Sequence, residues 1–230
     1  MPLQAVILAA GMGTRLARPN PKPLTELNDG RSIMQQQIEN LDSGFGEDYR
    51  LTIVVGFKLE MIIERFPQAS FVYNENYDQT NTSKSLLKAL KNSGDGGVLW
   101  MNGDVVYDPQ ILGALKPYID KDESFISVNT EKVSEEEVKY TVDDEGYIKE
   151  LSKKVVGGLG EAVGINYVSA KDKKPLIKRL EEVDEQEYFE GGIELIIQHD
   201  GAKFAPVDIS KYYAVEVDFA EDLDRANTHF

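Results

Sequence analysis

The chain has 230 residues, 41% of them hydrophobic, and its 25 basic against 40 acidic side chains leave a net charge of −15. It is too apolar for a disordered polymer and long enough to bury a core in one domain, or at most two small ones. The lack of cysteine excludes disulfides, a thiol nucleophile and a thiolate metal site; two histidines (His199, His229) cannot build a His-rich metal centre. So acidic a chain repels phosphates on average and is not expected to bind nucleic acid; without an 18-residue apolar run or a basic n-region, no membrane span or signal peptide is expected, and a cytoplasmic location is the default.

Residues 1–25 hold Arg15, Arg18 and Lys22 and no acid, so the other 205 positions carry −18. That segment can hold an anion, or it is a buried strand followed by a few solvated bases. The run Ala5–Leu8 reads as a strand buried on both faces. A glycine turn (Gly11, Gly13) and a proline-rich loop (Pro19, Pro21, Pro23) follow. Ser32 with Gln35 resembles a capping box for a helix carrying Ile33, Met34, Ile38 and Leu41 and ending at Gly44. Strands are predicted at 51–55 and 70–73 and a short helix at 58–66. Thr82 or Ser83 caps a helix with Leu86, Leu87 and Leu90; a buried strand at 98–101 closes on Asn102-Gly103-Asp104; Asp108-Pro109 starts another helix. This alternation predicts an α/β, doubly wound, parallel sheet over the first 120 residues.

The second half changes character. Strands are predicted at 125–129, 139–142, 147–151, 162–168 and 212–217, with a hairpin turn at Asp143–Gly146. Helices are predicted at 175–182, 188–199 and 219–227, the last with Asp218 as a cap. The run Ser134–Glu137 reads as a solvated loop or helix start. Without a linker or repeat, residues 1–230 read as one domain.

The segment Leu8-Ala9-Ala10-Gly11-Met12-Gly13-Thr14-Arg15-Leu16, then Pro21-Lys22-Pro23-Leu24, carries the clearest chemistry. A glycine turn directly after a buried strand lets backbone N–H groups approach a phosphate. A guanidinium at Arg15 can fork two phosphate oxygens, and Lys22 supplies a point charge. No Gly-Lys-Ser/Thr follows, so this is not a P-loop; Leu16 stands where G-x-G-x-x-G needs glycine. Asp104 sits just past a buried strand, at the carboxyl edge where ligands bind in such sheets, and Asp218 ends the last strand similarly. Each also has a purely structural reading, as a turn residue and a helix cap. Glu216 is a weaker candidate, or a strand residue facing out.

These segments resemble the signature of nucleotidyltransferases that make nucleotide-diphospho sugars and CDP-activated compounds. Asn74-Glu75-Asn76-Tyr77-Asp78-Gln79-Thr80-Asn81, followed by Ser85-Leu86, resembles a block of bacterial phosphocholine cytidylyltransferase-like proteins, with inositol-1-phosphate cytidylyltransferase-like proteins close by. The resemblance spans nearly the whole chain. It implies a Rossmann-like mixed, mainly parallel sheet flanked by helices, with a nucleotide-binding half at about 1–120 and an acceptor-binding half at about 121–230. It implies transfer of a nucleotidyl group to a phosphorylated acceptor with loss of pyrophosphate, by positioning and charge neutralisation.

By that resemblance Asp104 and Asp218 hold Mg²⁺, while Arg15 and Lys22 are the catalytic cations. Leu8, Ala9, Ala10, Gly11, Gly13, Thr14, Arg15 and Lys22 surround the nucleotide. Asn81 and Ser85 help read the base, although Asn81 is equally suited to capping a helix. CTP is favoured by resemblance; the residues themselves do not separate CTP from UTP or dTTP. Lys153, Glu161, Tyr188 and Glu190 line the acceptor site. Tyr188 and Phe189 offer part of an aromatic cage for a quaternary ammonium, and Trp100, in a buried strand, belongs to the core. No tryptophan occurs in 135–140, where choline-specific relatives carry one. The acceptor stays open among phosphocholine-, phosphonate-, polyol-phosphate- and sugar-phosphate-like compounds, as does oligomeric state. Two other readings stand beside this one: a UTP- or dTTP-dependent sugar-1-phosphate enzyme, and a non-catalytic nucleotide-binding module.

Overall fold

A computed structural model describes residues 2–13, 16, 19–131, 133 and 137–229. Thr14, Arg15, Arg18 and residues 134–136 of the acidic run lie outside the described residues.

The first strand, β1 (Leu3–Ala9), shows why its sequence is apolar throughout. Ala5, Ile7 and Ala9 point into one core, while Val6, Leu8 and Ala10 point into another on the opposite face. Strand β4 (Val98–Asn102) does the same, with Leu99 and Met101 on one side and Val98 and Trp100 on the other. These strands sit at the centre of the sheet, covered by helices on both faces.

The sheet runs β10-β6-β9-β4-β1-β2-β3, where β2 is Tyr49–Val55, β3 Ser70–Tyr73, β6 Phe125–Asn129, β9 Glu161–Val168 and β10 Ala205–Asp208. Strands β4, β1, β2 and β3 are parallel, and β9 is antiparallel to both β4 and β6. The result is the expected mixed, mainly parallel, Rossmann-like α/β sheet. Helices α1 (Ile33–Phe45), α2 (Leu59–Arg65) and α4 (Gln110–Asp120) bury Met34, Leu41, Ile62, Ile111 and Leu115 on one face. Helices α3 (Thr82–Asn92), α5 (Ala170–Glu182) and α6 (Phe189–Asp200) bury Leu86, Leu90, Leu176, Leu180 and Ile193 on the other. A hairpin, β7 (Lys139–Val142) with β8 (Ile148–Ser152), turns at Asp143–Gly146, where Asp143 Oδ1 accepts from the N–H groups of Glu145 and Tyr147. Trp100 is fully buried and meets Phe189 edge to face at 5.6 Å, as its place in a central strand implied.

One short strand after Asp104 was not expected from the sequence, and its partner is the strand predicted at 212–217. Strand β5 (Val105–Tyr107) leaves the Asn102–Asp104 corner and pairs antiparallel with β11 (Ala214–Glu216), with Val105 opposite Glu216. A third apolar cluster of Leu27, Ile33, Val106, Val217, Leu223 and Ala226 seats this ribbon and the last helix, α7 (Ala220–His229). The ribbon brings residue 218 beside residue 104, although they are far apart in sequence. Among the described residues no helix is long and apolar enough to cross a membrane.

Candidate functional site

The carboxyl ends of β1 and β4 open onto a cavity of about 910 Å³, inside the size range of small-molecule sites. The corner between β4 and β5 carries Asp104. The N–H of Gly103 donates to the carbonyl of Leu8 at 2.9 Å, and the N–H of Val217 donates to the carbonyl of Asp104 at 3.0 Å. These bonds tie three chain segments together at one point. A single 3₁₀ turn, Lys22–Leu24, anchored by the buried Pro23 and Leu24, presents Lys22.

Lys22 reaches between the two aspartates. Its Nζ donates to Asp104 Oδ2 at 2.7 Å and also to Asp218 Oδ1, with only 11% of the side chain exposed. Burial alone would lower the pKa of this ammonium, but the charges of Asp104 and Asp218 and their hydrogen bonds outweigh it and raise the pKa above its ordinary value. The second oxygen, Asp104 Oδ1, is buried without a hydrogen-bond partner. Glu216 Oε1 accepts from Asn102 Nδ2 at 2.9 Å. Burial and the neighbouring Asp104 charge hold the Glu216 carboxyl above the usual carboxylate range. The two aspartates of this acidic corner thus already hold a cation.

Gly13 has φ +60°, and a Cβ there would lie 2.9 Å from Lys22 Cβ, so glycine both frees the turn and lets the Lys22 loop close on it. Gly164, in β9, has φ +74°, and a Cβ would meet Glu216 Oε1 at 2.7 Å and Asn102 Nδ2 at 2.8 Å. Gly164→Ala is therefore expected to destabilise the protein by roughly 2 kcal/mol in chemical denaturation, through backbone strain and a contact on that hydrogen-bonded pair.

The acceptor candidates share this cavity. Lys153, Glu161, Tyr188 and Glu190 all line it. Lys153 Nζ lies 5.3 Å from the centre of the Tyr188 ring, within cation–π range. Glu190, in the first turn of α6, is 8% exposed, and its Oε2 is buried with no partner. Burial pushes its carboxyl up to about 7; the Lys153 charge opposes this, and Glu187 and Glu194 add to it.

Leu8, Ala9, Gly11, Gly13, Lys22, Asp104 and Asp218 line the cavity, but Ala10, Asn81 and Ser85 are not among its lining residues. Asn81 caps α3: its Oδ1 accepts from the N–H of Thr82 at 2.8 Å and its Nδ2 donates to the Gln186 carbonyl at 3.2 Å. The expected caps, Thr82 and Ser83, lie inside the helix, and Ser85 Oγ accepts from Asn74 Nδ2 at 3.1 Å. The Ala10 carbonyl accepts from Phe57 N–H at 3.1 Å. Asp218 is expected to cap α7, and its Oδ1 accepts from Lys22 Nζ. Asp222 reaches back, with its Oδ2 accepting from the N–H groups of Asp218 and Phe219 at 3.0 and 2.7 Å. Glu216 faces the cavity rather than outward, and Glu137, expected in a solvated run, lines it too. For Glu216 the signal was present: it lies two residues before Asp218, on the same face of an extended segment.

Residues 5–187 match the MobA-like NTP transferase domain. The chain belongs to that family, and it is a nucleotidyltransferase-type enzyme. It is 28% identical to a 2-aminoethylphosphonate cytidylyltransferase of Lancefieldella rimae, over 96% of this chain and 87% of that protein. It is 36% identical to the bifunctional protein GlmU of Methanococcus vannielii, but over 48% of this chain and only 26% of that longer protein. In fold it is similar to the CTP:phosphocholine cytidylyltransferase LicC of Streptococcus pneumoniae, with a TM-score of 0.78 at 18% identity, covering 100% of this chain and 99% of the other.

Proposed function

We propose that this protein is a cytidylyltransferase that couples CTP to a small phosphonate or phosphate acceptor bearing an amino group, with release of pyrophosphate. The observation that carries this reading is the buried, unpartnered Glu190 oxygen in the same cavity as the Lys22–Asp104–Asp218 cluster. The activity for which the Lancefieldella relative is named, in a protein that aligns along nearly the whole chain, supports both the cytidine nucleotide and the amino acceptor.

An acceptor oxygen attacks the α-phosphorus of CTP. One P–O bond forms, the bond from the α-phosphorus to the bridging oxygen of the β-phosphate breaks, and pyrophosphate leaves in line. Lys22 turns from the aspartates toward the α-phosphate and neutralises the charge that builds there. The glycine turn at Gly11–Gly13 offers backbone N–H groups to the triphosphate, and Arg15 supports the β- and γ-phosphates. Lys153 holds the acceptor phosphonate. Glu190 receives its ammonium, with Tyr188 and Glu161 beside it. The first half of the single domain, about 1–120, supplies the nucleotide side, and about 121–230 supplies the acceptor side and Asp218.

Asp104 and Asp218 suit Mg²⁺. They are hard oxygen donors, already drawn together by a cation, and Asp104 Oδ1 is free of other bonds. Among the described residues no group of three or more His, Cys, Asp or Glu side chains is placed to hold a metal ion; Mg²⁺ in phosphate-handling sites is commonly held by one or two carboxylates. When bound, the ion neutralises charge on the reacting phosphates.

The test is a panel of CTP, UTP and dTTP against 2-aminoethylphosphonate, phosphocholine, inositol 1-phosphate and glucose 1-phosphate, read by pyrophosphate release with and without Mg²⁺. Fastest release with CTP and an amino acceptor is expected. Preference for UTP or dTTP with glucose 1-phosphate would instead favour the sugar-1-phosphate reading, and no acceptor-dependent release would favour a binding module.

Glu190 adds a pH dependence. Its folded pKa of about 7 lies above the ordinary 4.5, so the anion that holds the ammonium is lost as pH falls through about 7. KM for an amino acceptor is expected to rise about tenfold from pH 8 to pH 6, following the anionic fraction of that carboxyl. Glu190→Gln should raise KM at pH 8 and flatten this profile. The stability effect has the opposite direction. A raised carboxyl pKa means the native state holds its proton more tightly, so the group costs nothing below pH 4.5 and about 3 kcal/mol above pH 7. Urea unfolding of Glu190→Gln should show its gain over the wild type at pH 8 and not at pH 4.

A further inference from the structure

Helix α1 sends three buried amide side chains to the β4–β5 segment. Gln37, with no exposed surface, donates from a single Nε2 to the carbonyls of Asn102 and Val105, both at 2.8 Å. Those residues flank Gly103-Asp104, so one amide closes the corner that carries Asp104. Its neighbour Gln36 donates to the carbonyl of Tyr107 at 2.6 Å, as does Asn40 at 2.9 Å. These two hold the far end of β5 and do not touch the corner.

We propose that Gln37 is a positioning residue that fixes the Asp104 carboxylate by bridging the Asn102 and Val105 carbonyls across the β4–β5 corner. The inference rests on the reading above in which Asp104 holds the metal. A corner that turns through two residues between strands of different sheets has few backbone bonds of its own. Gly103 N–H and the Asp104 carbonyl are tied to Leu8 and Val217, on the β1 and β11 sides. The Gln37 amide ties the same corner to α1 through the Asn102 and Val105 carbonyls. Without it, Asp104 keeps its chemistry and loses its place, and small displacements of a catalytic group cost large factors in rate.

The experiment compares Gln37→Met, which keeps the side-chain length and removes both donated bonds, with Gln36→Met, an equally buried loss one residue away. Gln37→Asn, which keeps a buried amide too short to span the corner, serves if the methionine variant fails to fold. Each is measured per folded molecule for kcat, for KM of CTP, and for Mn²⁺ binding without nucleotide by the loss of the free-ion EPR signal. Asp104→Asn is the reference. The Gln37 variants are expected to lose kcat about thirtyfold with KM for CTP within about threefold, and to bind Mn²⁺ about tenfold more weakly. Gln36→Met is expected to match the wild type in all three. Wild-type kcat and Mn²⁺ affinity in the Gln37 variants, or equal losses in Gln36→Met, would overturn the positioning role alone. A wild type that binds no Mn²⁺, or an Asp104→Asn protein that binds it as well as the wild type, would overturn the metal reading and this inference with it.

Discussion

Lys22→Ala is expected to lower kcat by about 10²–10³-fold while leaving the thermal unfolding transition cooperative and the far-UV spectrum unchanged. Lys22 stands on a 3₁₀ turn seated by the buried Pro23 and Leu24, and its backbone bonds do not depend on the side chain. What disappears is a cation held in a part-buried site between two carboxylates. In water such a charge is worth little, but in a closed cleft it meets developing negative charge without reorganising, and losing one such group costs about 3–4 kcal/mol of transition-state stabilisation. The loss should fall on kcat more than on KM for CTP, because the γ-phosphate end of the nucleotide is held elsewhere. Steady-state kinetics of pyrophosphate release check it, and turnover within about threefold of the wild type would remove Lys22 from the chemistry.

Asp104→Asn and Asp218→Asn should each cost about 10³-fold in kcat and abolish the dependence of rate on Mg²⁺ between micromolar and millimolar concentrations. That factor corresponds to about 4 kcal/mol, the size expected when a divalent ion leaves a phosphoryl site. In the proposed metal role the two side chains act through one cation, so their effects should not add: the double variant should be no more than a few-fold worse than either single one. Additive losses would mean that the aspartates work separately. The same variants leave Lys22 with one carboxylate partner each. Its ammonium, now raised by both aspartates, should titrate at lower pH in either variant, observable by ¹⁵N-edited NMR of the lysine side chain.

The strands were most legible where a continuous apolar run bounded by turn residues is buried on both faces, as in β1 and β4. Ser70–Tyr73, Phe125–Asn129 and Lys139–Val142 fall where patterning puts them. Strand β10 was not legible. It contains Pro206, which argues against a strand, but it lies at the sheet edge, where a missing N–H is tolerated. Strand β5 has only three residues and is defined by a partner more than a hundred positions away, so no local pattern announces it. Helix α5 begins at Ala170 rather than Pro175, because Ser169 caps it a turn earlier by accepting from the N–H of Asp172.

The site was legible in its charged residues more than in its polar ones. Lys22, Asp104 and Asp218 could be picked out because a glycine turn and two strand ends give them a shared edge of the sheet. Asn81 and Ser85 carried an ambiguous signal, since an amide or hydroxyl near a helix start serves a cap or a ligand equally well, and the helix and Asn74 claim them here. Gln37 gave no signal at all. A glutamine on the buried face of a helix looks like a packing exception until its two carbonyl partners are seen.

The most direct test follows the phosphorus atoms themselves. ³¹P NMR of the wild-type protein with CTP, Mg²⁺ and 2-aminoethylphosphonate should show the phosphonate resonance converting to a phosphonate–phosphate anhydride in step with one equivalent of pyrophosphate. Conversion of CTP to CDP and orthophosphate, or an unchanged phosphonate signal after prolonged incubation with active, folded protein, would contradict the account.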